Sequence, residues 1–315
     1  MPRPVGGVIH FFKFRTGNYL MHQPSPHFCN IIPLTPYFPF HIVSVIEKLH
    51  KKEFRMAINI KTEEHILLME VNRPKKYNAM TQEMYHQMAR AYFMLDSDPD
   101  ARVGLVYAVG PHFTSGLELT DWAGTFDIGK GFPFVAENEI DPFYMMSDVR
   151  CRKPIIMAVQ GYCYTWGFEM MLNTDIRVAA TDTRFGMLEV RRGFFPGAGA
   201  TLRLPKEIGW GNALRYMLTG DEMSATEAYR IGLVQLLTDP GQQFDKALEL
   251  ARRVASAAPL GVRNALKSCR VAALQGEEAA KAVIYQDVAE VMKSEDMKEG
   301  LLSFIERRAA VFHGK

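Results

Sequence analysis

The stretch from Lys153 to Leu204 constrains the fold more than any other part of the chain. Two short apolar runs, Ile155 to Val159 and Ile176 to Ala180, have the length and composition of buried strands. Between them, a turn of small and aromatic residues at 165–167 leads into an apolar segment of helical character. A strand, a turn, a helix and a second strand in this order are typical of an α/β core.

Two glutamates, Glu169 and Glu189, lie among apolar residues of this stretch, and a Pro-Gly-Ala-Gly turn follows at 196–199. Burial shifts the pKa of a carboxyl group, and two carboxyl groups whose pKa values differ can supply an acid and a base. No histidine lies between His112 and His313, so this region cannot supply the imidazole of a Ser-His-Asp triad. Chemistry in this region therefore has to use carboxyl groups, backbone amides or a bound cofactor, and the two glutamates with the turn are the parts that an acid/base enzyme needs.

Strands and helices alternate before this stretch, and helices alone follow it. Residues 66–71 and 103–109 are predicted strands, and Thr81 is a predicted N-cap of a helix that runs through Leu95. Further helices are predicted at 208–218, from the Ser224 capping box to Gly232, and at 244–257, 262–274, 279–292 and 297–311. We therefore expect an α/β core that is followed by a helical tail.

Residues 1–55 differ in composition from the rest of the chain. They are rich in Pro, Phe and His, and no acidic residue precedes Glu47. Three interpretations stay open: an extension outside the fold with Met56 as the natural start, an organelle-targeting segment, or an accessory segment. Taking the first, we divide the chain into an N-terminal extension (1–55), an α/β core (56–257) and a helical C-terminal region (258–315).

Charge and hydropathy argue against two classes of partner. The chain has 315 residues and a formal net charge of +2, which gives no electrostatic case for nucleic-acid binding. No stretch approaches the roughly 18 unbroken apolar residues of a membrane span. We predict a cytoplasmic enzyme without nucleic-acid or membrane partners, and organelle targeting by the N-terminal segment stays open.

A long segment at 120–147 is rich in aromatic residues and has the character of a loop. Its side chains either pack as core residues or form the wall of an apolar substrate pocket. The aromatic residues concerned are Trp122, Phe126, Phe132, Phe134, Phe143 and Tyr144.

Seven segments carry motifs of a known family in that family's order. They are Asn72 to Met80 (NRPKKYNAM), Phe113 to Leu119 (FTSGLEL), Lys153 to Met170 (KPIIMAVQGYCYTWGFEM), Phe185 to Glu189 (FGMLE), Pro196 to Leu204 (PGAGATLRL), the set of Leu218 to Gly220 with Ala228 and Gly232 to Val234, and Glu299 to Arg308 (EGLLSFIERR). Through these motifs the chain resembles the crotonase superfamily, the enoyl-CoA hydratase/isomerase family, over roughly four fifths of its length.

The resemblance implies a fold and an assembly. The fold is α/β, a crotonase-like spiral of ββα repeats with a C-terminal helical trimerisation region. We therefore expect a homotrimer or a dimer of trimers. The substrate is expected to be an acyl-CoA thioester, with CoA as part of the substrate and with no separate cofactor and no metal.

The resemblance also implies the site residues. Two backbone N–H groups, matched here by Leu117 and Trp166, hold the thioester oxygen as it becomes an enolate. Glu169 and Glu189 match the two glutamates with which hydratases add water to a 2-enoyl-CoA. Glu189 is expected to exchange the proton at the α-carbon, and Glu169 is expected to act on the water.

Five further residues are predicted to contact CoA or the substrate. Lys75 and Lys76 follow Asn72-Arg73-Pro74 within the first motif and are expected to reach phosphates, and Arg307 matches a basic position that lies near CoA in relatives. Ser115 belongs to the first oxyanion segment, and Trp122 belongs to the aromatic segment.

Two departures from the family pattern bear on the substrate. Trp166 stands where the family carries a glycine, so its indole is expected to narrow or replace part of the acyl pocket. Arg191 and Arg192 follow Glu189, where hydratases carry apolar residues. These cations either lower the pKa of a nearby carboxyl group, bind an acidic or polar end of a substrate, or lie in solvent.

Three other functions stay open beside water addition. An enoyl-CoA isomerase would use mainly Glu189, and a hydrolase of diketones would cleave a C–C bond without CoA. A scaffold that kept the fold and lost the chemistry is the third. Tight binding of acyl-CoA would argue against the hydrolase, and the absence of both CoA-thioether binding and turnover would favour the scaffold.

Overall fold

The computed structural model describes residues 57–125 and 135–315, so the predicted extension at 1–55 lies outside the described residues. The strands are β1 Ile58–Glu63, β2 Ile66–Val71, β3 Val103–Ala108, β4 Ile155–Val159, β5 Tyr162–Tyr164, β6 Ile176–Ala180, β7 Arg184–Gly186, β8 Met223–Ser224 and β9 Leu236–Thr238. Six of them form one sheet in the order β1-β2-β3-β4-β6-β9, and β5, β7 and β8 form a second sheet. In the larger sheet β1 and β2 are antiparallel and all other neighbours are parallel.

Helices connect the strands and fill the last part of the chain. They are α1 Gln82–Ser97, α2 Leu119–Trp122, α3 Trp166–Met171, α4 Ala200–Ile208, α5 Trp210–Thr219, α6 Ala225–Arg230, α7 Gln243–Ser256, α8 Pro259–Gln275, α9 Glu277–Met292 and α10 Glu295–Glu306. Short 3-10 turns lie at Pro74–Lys76, Ala123–Thr125 and Glu189–Arg192. An α/β part therefore precedes a helical part, as the sequence predicts.

Both faces of the larger sheet are buried, as is usual for parallel sheets. Alternate residues of β2 face opposite sides, so Leu67 and Met69 belong to one core cluster while Ile66 and Leu68 belong to the other. Helix α1 covers the first side with its Met, Tyr and Leu side chains, and α7 covers the second with three alanines. The small alanine side chains let α7 lie close against the sheet.

Several predicted elements are confirmed by the structure. The strand at 66–71 is present with those bounds, and Thr81 caps α1 because its hydroxyl accepts a hydrogen bond from Met84 N at 3.2 Å. Ser224 caps α6 through Glu227 N at 3.2 Å, and Gly232 follows that helix with a φ of 85°. These local signals work because capping depends on neighbouring residues alone.

Several predicted helices have wrong boundaries, three of them for a visible structural reason. The helix predicted at 208–218 begins at Trp210, because Gly209 with a φ of 81° separates it from α4, which the sequence did not predict. Pro259 occupies the first turn of α8, so that helix begins earlier than predicted. Helix α10 ends at Glu306 rather than near Val311, because Arg307 is left-handed with a φ of 56°.

In the described ranges, no helix combines the length and the apolar character that crossing a membrane requires. The cytoplasmic location and the division of the chain at residue 257 stay predictions.

Candidate active site

The carboxyl ends of β3 and β4 bring two of the motif segments together. The Gln160 side chain, just after β4, donates hydrogen bonds to Ala108 O at 2.9 Å, in the last residue of β3, and to Gly110 O at 3.0 Å, just after β3. Thr114 N donates to Tyr162 O at 2.8 Å, so the segment after β3 runs alongside β5. In open α/β sheets ligands bind at the carboxyl ends of the strands, and here this is where the motif segments meet.

Glycines permit the close approach of these segments. A Cβ atom at Gly116 would lie 2.1 Å from Thr165 Oγ1, and a Cβ atom at Gly167 would lie 2.1 Å from Thr114 Cγ2. Neither position has room for a larger residue. Thr165 itself has a φ of 46°, which is uncommon for a residue with a branched side chain. The turn before α3 is therefore a strained conformation that its surroundings fix.

The two predicted oxyanion donors lie on this pair of segments. Leu117 sits between two hydrogen bonds that its neighbours make with Met80, Met80 N to Gly116 O at 2.8 Å and Glu118 N to Met80 O at 2.9 Å. Trp166 is the first residue of α3, where a backbone N–H has no partner within the helix. Neither N–H has an acceptor among residues 57–125 and 135–315, and both residues line one cavity of about 350 Å³.

Glu169 lies in the first turn of α3 and is 3% exposed. Its Oε1 atom accepts hydrogen bonds from Ala198 N at 2.8 Å and Ala200 N at 3.0 Å, at the turn that leads into α4. Burial raises the pKa of Glu169 to about 8, the charge of Glu189 adds to this, and the two backbone N–H groups oppose it. The predicted turn at 196–199 thus holds this carboxyl group in place.

Glu189 begins the 3-10 turn that follows β7. Its Oε2 atom is buried and has no hydrogen-bond partner among the described residues. Burial raises the pKa of Glu189 to about 7. Buried polar atoms rarely lack a hydrogen-bond partner. Glu189 lines the same cavity as Glu169 and the two N–H donors.

Two carboxyl groups with raised pKa values and two unpaired N–H groups can perform proton transfer at a carbon next to a carbonyl. The N–H groups can stabilise a developing oxyanion, and the carboxyl groups can give and take protons near neutral pH. In the ranges that the structure describes, no three His, Cys, Asp or Glu side chains lie together as metal ligands would.

The cavity holds some of the predicted contact residues and not others. Ser115 lines it, whereas Trp122, Lys75, Lys76 and Arg307 do not. The lysines are exposed on the turn after β2, and Arg307 is exposed at the end of α10. Sequence reasoning missed three apolar lining residues, Leu119, Leu188 and Phe194; each lies within or just beyond a motif, which was the only available signal.

The indole of Trp166 lies in an aromatic cluster, which we define as Tyr85, Trp122, Phe143 and Trp166. Its ring stacks on Phe143 with centroids 4.6 Å apart and meets Trp122 edge-on at 4.9 Å. Tyr85 lies at 5.4 Å. The side chain is 4% exposed, so it is a core residue that also borders the cavity.

Of the two interpretations of the aromatic segment, core packing fits Trp122 and Phe143, and none of its described members lines the larger cavity. Trp122 is fully buried and donates its indole N–H to Met80 O at 2.8 Å. Trp122 and Phe143 line a separate small cavity, and Tyr144 lines a third cavity elsewhere. Trp122 and Phe143 are buried in the core instead. Phe126, Phe132 and Phe134 lie outside the described residues.

The two arginines after Glu189 point in different directions. Arg191 forms an exposed ion pair with Asp221 and donates to Thr219 O at 2.9 Å. Arg192 lines the cavity and has no carboxylate partner within the described ranges. Neither arginine lowers the pKa of Glu189, which burial raises, so that part of the expectation is wrong.

Several known proteins resemble this chain in sequence over most of its length. A family model for enoyl-CoA hydratase/isomerase matches residues 61–315. Enoyl-CoA hydratase EchA19 of Mycobacterium tuberculosis is 33% identical over 256 residues, 80% of this chain and 94% of the relative. The (E)-benzylidenesuccinyl-CoA hydratase of Thauera aromatica is 31% identical, over 82% of this chain and 100% of the relative.

A solved structure extends the match from sequence to fold. The crystal structure of enoyl-CoA hydratase from Mycobacterium tuberculosis H37Rv superposes with a TM-score of 0.74 at 32% identity, over 82% of this chain and 99% of that chain. The predicted fold class, an α/β core with a helical C-terminal region, is confirmed by this likeness.

Proposed function

The chain belongs to the enoyl-CoA hydratase/isomerase family, and we propose that it adds water across the double bond of a 2-enoyl-CoA thioester with Glu169, Glu189 and two backbone N–H groups. The resemblance to the crotonase superfamily is confirmed, and with it an enzyme of the enoyl-CoA hydratase/isomerase family. One observation supports the finer proposal most: the two carboxyl groups and the two unpaired N–H groups line a single cavity.

In the proposed reaction, the thioester oxygen accepts hydrogen bonds from Leu117 N and Trp166 N. When water attacks the β-carbon, negative charge moves to that oxygen and an enolate forms. Each donor then stabilises charge that the ground state lacks, an effect of about 3 kcal/mol for a donor of this kind. The N–H of Trp166 also lies at the start of a helix, where partial positive charge accumulates.

The protons balance within the carboxyl pair. Ionised Glu169 takes a proton from the water as its oxygen bonds to the β-carbon, and protonated Glu189 gives a proton to the α-carbon. The reaction therefore needs one proton on the pair, and the pKa values of about 7 and about 8 place that form near neutral pH. The higher pKa of Glu169 favours the proton on Glu169, the reverse of the form that reacts, so the proton has to pass to Glu189 through the substrate water that both groups bind. The two titrations belong to the pair.

A double-bond isomerase is the second candidate, and one contact favours it. Glu169 Oε1 already accepts two backbone hydrogen bonds, so this residue has a structural use that is independent of catalysis. Glu189, with an unpartnered buried oxygen, could then move a proton between the α- and γ-carbons alone. The two functions differ in whether oxygen from water enters the product.

Contacts with CoA and the assembly are also part of the proposal. We assign Lys75, Lys76 and Arg307 to the phosphates of CoA, since all three are exposed cations outside the acyl cavity. Helices α8 to α10 would join copies of the chain into a homotrimer or a pair of trimers. No separate cofactor enters the proposed reaction, because CoA is part of the substrate.

The proposed function is tested with crotonyl-CoA in water enriched in oxygen-18. We expect loss of the conjugated enoyl-thioester absorbance and one labelled oxygen in the product. A 3-enoyl-CoA is assayed in parallel for conversion to the 2-enoyl isomer. Isomerisation without label in any product would replace the hydratase proposal by the isomerase.

A further inference from the structure

The indole of Trp166 separates the acyl cavity from a small second cavity behind it. Trp166 lines the larger cavity of about 350 Å³ together with Glu169 and Glu189. It also lines the small cavity, of about 20 Å³, together with Phe143 and Trp122. Among the described residues, Trp166 and Gly197 line both. The ring and the 196–199 turn thus form a partition between the two spaces.

The small cavity lies directly behind the candidate catalytic groups. Ala198, which lines it, donates its N–H to Glu169 Oε1 at 2.8 Å. Its volume of about 20 Å³ accommodates a single water molecule and no part of an acyl chain. The space is small because the rings of the aromatic cluster occupy it.

The cluster is built to hold the indole in this position. Asp141, which is 1% exposed, accepts hydrogen bonds from Phe143 N at 3.0 Å, Met145 N at 2.6 Å and Met146 N at 2.8 Å. These bonds fix the segment that carries Phe143, on which the indole stacks. Moving the ring would break the stacking contact and open an apolar void, so the partition is rigid.

We propose that the Trp166 side chain is the specificity-determining floor of the acyl site, which limits the enzyme to compact acyl groups and excludes straight chains that would extend past Glu169. The inference rests on the proposed function only in the assignment of the acyl group to this cavity. The backbone N–H and the side chain of Trp166 have separate tasks, since the N–H faces the thioester oxygen and the ring closes the space behind.

Because the backbone N–H and the ring of Trp166 have separate roles, substitutions of the side chain test the inference. Trp166→Ala keeps the backbone N–H and merges the two cavities, so a longer chain gains apolar surface to bury. Each buried CH₂ contributes about 0.8 kcal/mol, or roughly a fourfold gain in affinity. Trp166→Phe opens less space and keeps a ring for stacking on Phe143. The matched control is Trp122→Phe, because Trp122 belongs to the same cluster and lines only the small cavity.

The readout is calorimetric binding of butanoyl-CoA and decanoyl-CoA, saturated compounds that bind without reacting. The wild type and Trp122→Phe are expected to favour butanoyl-CoA. We expect Trp166→Ala to raise the affinity for decanoyl-CoA relative to butanoyl-CoA by about tenfold or more, and Trp166→Phe to raise it by less. If Trp166→Ala does not fold, Trp166→Phe alone tests the inference. A ratio of decanoyl-CoA to butanoyl-CoA affinity above that of Trp122→Phe then supports it.

An unchanged affinity ratio in the folded variants would overturn the inference, and so would tight decanoyl-CoA binding by the wild type. Neither result depends on catalysis. A protein that binds these compounds as expected and yet adds no water to crotonyl-CoA would refute the proposed function and leave the role of Trp166 standing.

Discussion

Burial raises the pKa of both Glu169 and Glu189, but the hydrogen bonds that the two carboxyl groups accept differ. Glu169 is almost fully buried, and its burial outweighs two backbone hydrogen bonds that favour the ionised form. Glu189 is less buried and keeps a buried oxygen without a partner. The motifs predict that both residues belong to the site. The difference between them depends on Ala198, Ala200 and the cavity, which no local pattern reveals.

The carboxyl pair predicts a bell-shaped pH dependence of kcat/KM for crotonyl-CoA hydration. Below about pH 7 both groups gain protons and the base is lost, and above about pH 8 both ionise and the acid is lost. We therefore expect a maximum between these values, measured from initial rates across pH 5 to 10. The pH profile of the Glu189→Gln variant should lack one of the two limbs. A flat profile in the wild type would contradict the shared-proton account.

Arg191 and Arg192 provide a matched pair of substitutions for the acyl end of the site. Arg192 lines the cavity, whereas Arg191 is held by Asp221 outside it. If Arg192 meets a substrate carboxylate, Arg192→Gln should lower kcat/KM for glutaconyl-CoA by about tenfold more than for crotonyl-CoA. Arg191→Gln should leave that ratio unchanged. Equal losses of kcat/KM for the two substrates in Arg192→Gln would indicate that Arg192 contacts the CoA part of the substrate instead.

These adjacent arginines also illustrate what the sequence leaves open. Both stand at unusual positions beside Glu189, and that much is visible in the sequence. Which of them faces the cavity depends on Asp221 and Thr219, which reach Arg191 from another helix end. Trp166 is similar, because its ring direction is set by Phe143 and Tyr85, both distant along the chain.

At the scale of elements, the approach of α3 to the segment after β3 builds the proposed oxyanion site. Gly167 makes that approach possible, since a Cβ atom there would overlap Thr114 Cγ2 at 2.1 Å. The same two segments carry Leu117 N and Trp166 N. A small displacement of α3 would therefore move one N–H donor relative to the other and relative to Glu169.

Gly167→Ala should lower both the stability and the activity of the protein. The added methyl group has to displace Thr114, which costs roughly 1–3 kcal/mol of the free energy of unfolding in a packed core. Urea unfolding and crotonyl-CoA hydration are the measurements. The control is Gly211→Ala in α5, where the added Cβ atom meets nothing within 4 Å and should stabilise the helix by up to about 1 kcal/mol. Equal stability of Gly167→Ala and wild type would contradict the close approach.

Local sequence patterns predict some strands and helix caps but not every helix. Strands β2, β4 and β6 and the caps of α1 and α6 follow from the sequence, since each depends on a short run of residues. Helix α4 was missed because it follows a glycine-rich turn and contains Pro205, two features that argue against a helix. Its packing against α5 and the bond from Ala200 N to Glu169 stabilise it nonetheless.

At the scale of the whole molecule, the helical C-terminal region exposes large apolar side chains. Tyr285 is 83% exposed, Phe304 81% and Ile305 67%. Exposed apolar side chains on neighbouring helices indicate a contact surface, and the family resemblance assigns trimerisation to this region. The trimer itself was predicted from the resemblance and stays a prediction.

Light scattering after size exclusion is expected to give three or six times the chain mass of 35.7 kDa. Phe304→Asp should shift the population toward the monomer, because it places a charge in the proposed contact. Leu218→Asp on α5 is the control, as Leu218 is equally apolar and 69% exposed but lies outside the C-terminal helices. A monomeric wild type at micromolar concentration would exclude the predicted assembly.

The two-carboxyl hydration mechanism is tested most directly by Glu169→Gln, assayed for both hydration of crotonyl-CoA and isomerisation of a 3-enoyl-CoA. Glutamine keeps an oxygen for Ala198 N and Ala200 N but cannot take a proton from water. We predict that hydration falls by about 10²–10⁴-fold, while isomerisation through Glu189 falls much less. Full hydration by a folded Glu169→Gln variant would contradict the account.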